Sequence, residues 1–250
     1  MANWNDPRLT RSTPRAGFGA SPSLDGRVAS GEVFDAGLRK YMLSIYNYMA
    51  SAVLLSGIVA LVMSHTAIGV SIITSPAFML VIFAPLAIVF AMSFGANRFS
   101  ETTLKALFWA FAALMGMSLS TIFLVYTSGS IATTFFATAG AFAGLSLWGY
   151  TTKKDLSGWG SFLIMGVIGL IIASLINIFL QSQALMWAVS FIGVLIFAGL
   201  TAYDTQRLKQ MYIVNAGRDM GKIVIMGALT LYLDFINMFQ FLLAFMGQRD

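Results

Sequence analysis

The sequence predicts an all-α integral membrane protein with seven transmembrane helices, the last enclosed by the other six. Three observations carry that expectation. Of 250 residues, 58% are hydrophobic and 10% charged, with a mean hydropathy of +0.81, whereas a soluble domain carries roughly 25% charged side chains. Seven apolar stretches of about 20 residues, each long enough to cross roughly 30 Å of hydrocarbon, follow one another between short polar connections. The last stretch carries a polar stripe that cannot face lipid.

Residues 1–38 are rich in Gly, Pro, Ser and Arg and read as a flexible cytoplasmic tail. The first apolar run begins near Tyr41, too late for a cleavable signal peptide, so residues 39–250 form the transmembrane domain. The expected spans are Tyr41–Met63, Ala77–Phe94, Leu104–Tyr126, Ile131–Tyr150, Gly160–Leu180, Ala184–Tyr203 and Ile223–Met246. Fourteen of the fifteen Lys and Arg residues fall in the tail and in alternate connections. Cations are retained inside during insertion, which places the amino terminus in the cytoplasm and the carboxyl terminus outside, in the inner membrane of the cell. The connections 127–130 and 181–183 are short enough to make tight helical hairpins. Gly140 and Gly144 in a GxxxG spacing, and Gly116 with Ser120, are candidates for close helix contact. Pro85 lies inside the second span and is expected to bend it.

Cysteine is absent and His65 is the single histidine, which excludes disulfides, thiolate nucleophiles and His-rich or Cys-based metal centres. The net charge of +5 does not indicate nucleic acid, because the cations are scattered between apolar runs rather than gathered on one surface. The expected partner is the lipid bilayer, with no tightly bound cofactor.

One charge stands where hydrocarbon should exclude it. Asp234 lies about eleven residues into the last span, close to the midplane, where an aspartate costs about 2.5–3.5 kcal/mol to insert. Gly227, Thr230, Asp234 and Asn237 share one helix face, with Gln240 a turn further on, so this face lines any pathway through the protein. Asp204 ends the sixth span. Two carboxylates on neighbouring spans can share a proton or hold a hard cation such as calcium through oxygen. Arg98, at the end of the second span, lies at a depth similar to Asp204 and is a candidate latch to it.

The segment 227–243, GALTLYLDFINMFQFLL, together with Ala202-Tyr203-Asp204-Thr205-Gln206 and the run 149–156, GYTTKKDL, resembles the Bax inhibitor-1 family, also called the transmembrane Bax-inhibitor-motif family, over residues 40–247. That resemblance implies a seven-helix bundle acting as a pH-sensitive calcium leak channel. It implies further that Asp204 and Asp234 are the proton sensor and cation-binding pair, and that Arg98 pairs with Asp204 in the closed state. The acidic residue that some relatives carry in the second span has no counterpart between Met79 and Met92.

Two other readings stand beside this one. In the first, the protein is a non-conducting regulator that binds a membrane protease or another membrane complex. In the second it is an intramembrane aspartyl protease, which the sequence disfavours: Leu231-Tyr232-Leu233-Asp234 lacks the Gly-x-Gly-Asp of that class, and no Pro-Ala-Leu follows.

Overall fold

Backbone amides find no water in hydrocarbon, so each apolar stretch must close its hydrogen bonds within itself as a helix. The computed structural model describes residues 22–215 and 220–249, and nine helices run through them. They are α1 (Pro22–His65), α2 (Ala67–Ile73), α3 (Phe78–Gly95), α4 (Glu101–Leu119), α5 (Ile122–Val125), α6 (Ser128–Thr151), α7 (Ser157–Leu180), α8 (Gln183–Val214) and α9 (Gly221–Met246). Seven segments are long and apolar enough to cross a membrane: 35–65, 78–95, 101–125, 128–151, 157–180, 183–214 and 221–246. These are the seven spans expected.

Several details depart from expectation. Of the expected flexible tail, residues 1–21 lie outside the described residues, while residues from Pro22 onward are helical and form the first part of α1. A helix already nucleated by an apolar span extends into polar sequence at little cost, and proline is well placed in a first turn. Two compact units meet between Arg39 and Lys40. Helix α3 continues through Pro85. Helix α8 runs eleven residues beyond Tyr203, so Asp204 sits on a helix and not at its end.

The tight hairpins follow from their caps. Thr127 and Ser182 accept the amides of Ser130 and Leu185 at the starts of α6 and α8, each satisfying a donor that the first helical turn leaves open. Between α7 and α8 the chain reverses at Gln181, which adopts a left-handed φ of 48°.

Helix α9 is the most buried span, with half of its window inside the bundle. Its principal neighbours are α8, α6 and α4, and α1 reaches it through Ser56, whose Oγ lies 2.6 Å from the Tyr232 hydroxyl and 2.7 Å from the Ala112 carbonyl oxygen. The close approaches use glycine. A Cβ at Gly116 would lie 2.5 Å from the Ser56 carbonyl oxygen, and one at Gly149 would overlap the carbonyl oxygen of Ala202. Gly140 and Gly144 are not such contacts: both are exposed, with nothing within 4 Å of a Cβ added there. The buried face of α6 is Thr134, Thr138, Phe142, Ser146 and Gly149. Gly140 stands two residues on from Thr138, about 200° round the helix.

Candidate functional site

Asp234 is the fourteenth of the 26 residues of α9 and is 4% exposed. The extension of α8 brings Asp204, 6% exposed, to the same place, and the two carboxyl groups are hydrogen-bonded to each other. Ionised carboxylates only accept hydrogen bonds, so such a contact is made only while one of the two groups carries a proton. The second oxygen of Asp234, Oδ2, is buried with no partner. A polar atom left in that condition in the interior is costly.

One cavity reaches Asp204, and a second lies further along α9. One, of about 400 Å³, lies among the α3–α4 turn, the last part of α8 and the first part of α9; Asp204, Arg207, Lys222 and Thr230 line it. The other, of about 360 Å³, lies at the opposite end and is lined in part by Asn237 and Gln240. Along α9 the two are separated by the turn that carries Asp234. The polar stripe expected from sequence is thus divided: Thr230 faces one cavity, Asn237 and Gln240 the other, and Asp234 is sealed between them.

The guanidinium that faces Asp204 belongs to Arg207, one turn on along α8, with Nη1 3.8 Å from Oδ1. Arg98 is exposed in the α3–α4 turn and forms no ion pair among the described residues, so the expected Arg98 latch is not made in this structure. The turn that carries Arg98 does wall the Asp204 cavity through Ala96 and Asn97. The signal that sequence reasoning missed is local, because Arg207 stands at i+3 from Asp204, the spacing at which helical side chains meet. Among the described residues no group of three or more His, Cys, Asp or Glu gathers as a metal site.

Each residue of the Tyr203-Asp204-Thr205-Gln206 run has a distinct partner. The Tyr203 ring fills the space beside Gly160, and Thr205 meets Ser146 of α6 at 3.1 Å. Gln206 grips the α6–α7 connection with both ends of its amide: Oε1 accepts the Leu156 amide at 2.8 Å and Nε2 donates to the Lys154 carbonyl at 2.8 Å. Lys209 adds a bond to the Tyr150 carbonyl and lies over the Tyr150 ring. Within the same connection the Ser157 hydroxyl and amide hold the Asp155 carboxyl below its usual range. That turn is therefore firm above the ordinary carboxylate range and loosens as pH falls through the depressed value.

Gln206→Leu leaves the Leu156 amide and Lys154 carbonyl without partners, and a loss of about 3 kcal/mol in stability is expected. Trypsin should then cut after Lys153 or Lys154 faster than in the wild type. Unchanged melting and unchanged cleavage would show that the connection is held by something else.

Seven apolar spans around a sealed pair of hydrogen-bonded carboxyl groups define a polytopic membrane protein with an ionisable centre. The family model described as inhibitor of apoptosis-promoting Bax1 matches residues 38–250, and the chain belongs to this Bax inhibitor family. Its relatives include the inner membrane protein YbhL of Escherichia coli (strain K12), 48% identical over 86% of this chain and 94% of the relative. An uncharacterized protein of Caulobacter vibrioides is 48% identical over 85% of this chain and 90% of its own. A membrane protein of Streptococcus pyogenes is 34% identical over 86% of this chain and 96% of its own. None of these three names is that of an enzyme.

Proposed function

We propose that this protein is a leak pathway for calcium and related cations in a bacterial inner membrane, with conduction set by the protons on Asp204 and Asp234. The observation that carries the reading is the pair of cavities on either side of the Asp234 turn of α9, one lined by Asp204 and Thr230, the other by Asn237 and Gln240. Between Thr230 in one cavity and Asn237 in the other, α9 carries the turn that holds Asp234. In this reading the Asp204–Asp234 pair is the gate between the two cavities.

The pair offers at most four oxygens, fewer than the six to eight a calcium ion takes. It therefore suits an ion in transit, with water completing its shell. We take no resident cofactor to be needed. The placement of cations puts the amino terminus and the Asp204 cavity on the cytoplasmic side, with the carboxyl terminus outside. Arg207 and Lys222 then guard the inner mouth, and the Arg207 contact to Asp204 takes the latch role expected of Arg98.

A second reading, a regulator that acts by binding a membrane protease or another membrane complex, draws support from the family's description as an inhibitor. Intramembrane proteolysis gains nothing from the geometry. A peptide would have to reach both carboxyl groups, and Asp234 lines neither cavity.

The test is calcium uptake into dye-loaded liposomes that contain only the purified protein, between pH 6 and 8. Uptake well above that of empty liposomes, varying with pH and changed in Asp204→Asn, is the expected result. Absence of uptake at every pH with folded protein would overturn conduction in favour of the partner-binding regulator.

A further inference from the structure

Sequence alone singles out Asn237 and Gln240 as residues of one helix face, but the cavity they line is completed by two other helices. Ser174 and Asn177 come from α7, Ser190 from α8, and Met186 closes the side. In α7, Ser174 and Asn177 stand at i and i+3, so both present one face of an otherwise apolar helix. Five uncharged polar side chains on three membrane-spanning helices gather on a single space of about 360 Å³. Lipid-facing positions would leave them unsatisfied, whereas a water-filled cavity satisfies them.

The chemistry of the lining is specific. Asn237 donates one Nδ2 hydrogen to the Leu233 carbonyl at 2.8 Å, which leaves its amide oxygen and its second N–H to offer. Asn177 uses Oδ1 to accept the Ser182 amide at 2.9 Å and keeps a second lone pair. Ser190 is 3% exposed and borders the cavity, and Gln240 brings a further amide oxygen. No carboxylate lines this space. Arg249 stands at the rim, with its Nη2 3.6 Å from the sulfur of Met186 and its guanidinium over the Tyr126 ring.

We propose that this cavity is a low-affinity site for a hydrated calcium ion, held by neutral amide and hydroxyl oxygens before it meets the Asp204–Asp234 pair. Neutral oxygens replace outer water without binding tightly, which suits a site an ion must also leave. A positive charge at the rim keeps affinity low. The inference rests on the conduction reading and adds to it a site on α7 and α8 where transport saturates.

The test measures the calcium concentration that half-saturates flux in liposomes. Asn177→Asp preserves the acceptor for Ser182 while adding a charge to the lining, and lowering of the half-saturating calcium by about tenfold is expected, because affinity follows the charge count of the ligands. Gln240→Leu removes an oxygen and should raise it about threefold. Should Asn177→Asp fail to fold, Gln240→Glu carries the same expectation. Unchanged half-saturation in these variants, with a wild-type flux that still depends on pH and on Asp234, would overturn the site and leave the channel standing. No flux from the wild type would overturn both.

Discussion

Replacing Asp234 by asparagine is expected to leave a calcium flux that varies by less than about twofold between pH 6 and 8. The substitution keeps the shape and removes the proton. In the native protein the contact between Asp204 and Asp234 is a hydrogen bond between two groups that, once ionised, can only accept. Its existence therefore follows the proton. An asparagine Nδ2 donates to the Asp204 carboxylate at any pH, so the contact that seals the two cavities from each other no longer titrates. Asp204 retains its ion pair with Arg207, which is why some charge-dependent behaviour at the Asp204 mouth should survive. Stopped-flow dye fluorescence in liposomes across that range decides the matter. A variant whose flux rises or falls with pH as steeply as the wild type would show that the sensor lies elsewhere.

A large loss of stability is expected from Gly149→Ala. A Cβ at this position overlaps the Ala202 carbonyl oxygen and comes within 2.9 Å of the Ala202 Cα. Both obstacles are backbone, so no rotamer change relieves the clash, and α6 and α8 must move apart. That movement also strains the Ser146–Thr205 hydrogen bond and shifts the turn of α8 that carries Asp204. Overpacking of this kind costs about 3 kcal/mol, or roughly 6–12 °C in melting temperature. Gly140→Ala and Gly144→Ala serve as controls, because a Cβ at either meets nothing within 4 Å. Melting of the three variants in one detergent distinguishes them. If Gly149→Ala melts with the wild type while Gly140→Ala does not, the α6–α8 contact has been assigned to the wrong face.

That contrast shows where sequence reasoning reached its limit. Gly140 and Gly144 have the spacing of a helix contact, yet Gly149, in no such motif, makes the approach. Spacing defines a face; it does not say which way the face points. Arg98 and Arg207 repeat the lesson, since depth in the membrane suggested the first and the i+3 geometry of a continuous α8 delivered the second. The end of α8 was misplaced because hydropathy falls at Tyr203, while the helix persists into polar sequence where its amides remain paired.

Some properties of this protein were legible in one dimension. The seven spans, the misplaced charge at Asp234 and the polar row from Thr230 to Gln240 follow from the free energy of moving each residue between water and hydrocarbon. That quantity belongs to the residue and its neighbours in the chain. The meeting of Asp204 with Asp234, the grip of Gln206 on the α6–α7 connection, and the union of Ser174, Asn177 and Ser190 with Asn237 and Gln240 were decided only in three dimensions. They depend on how far each helix rotates and slides against the next, which is set by packing between segments distant in sequence.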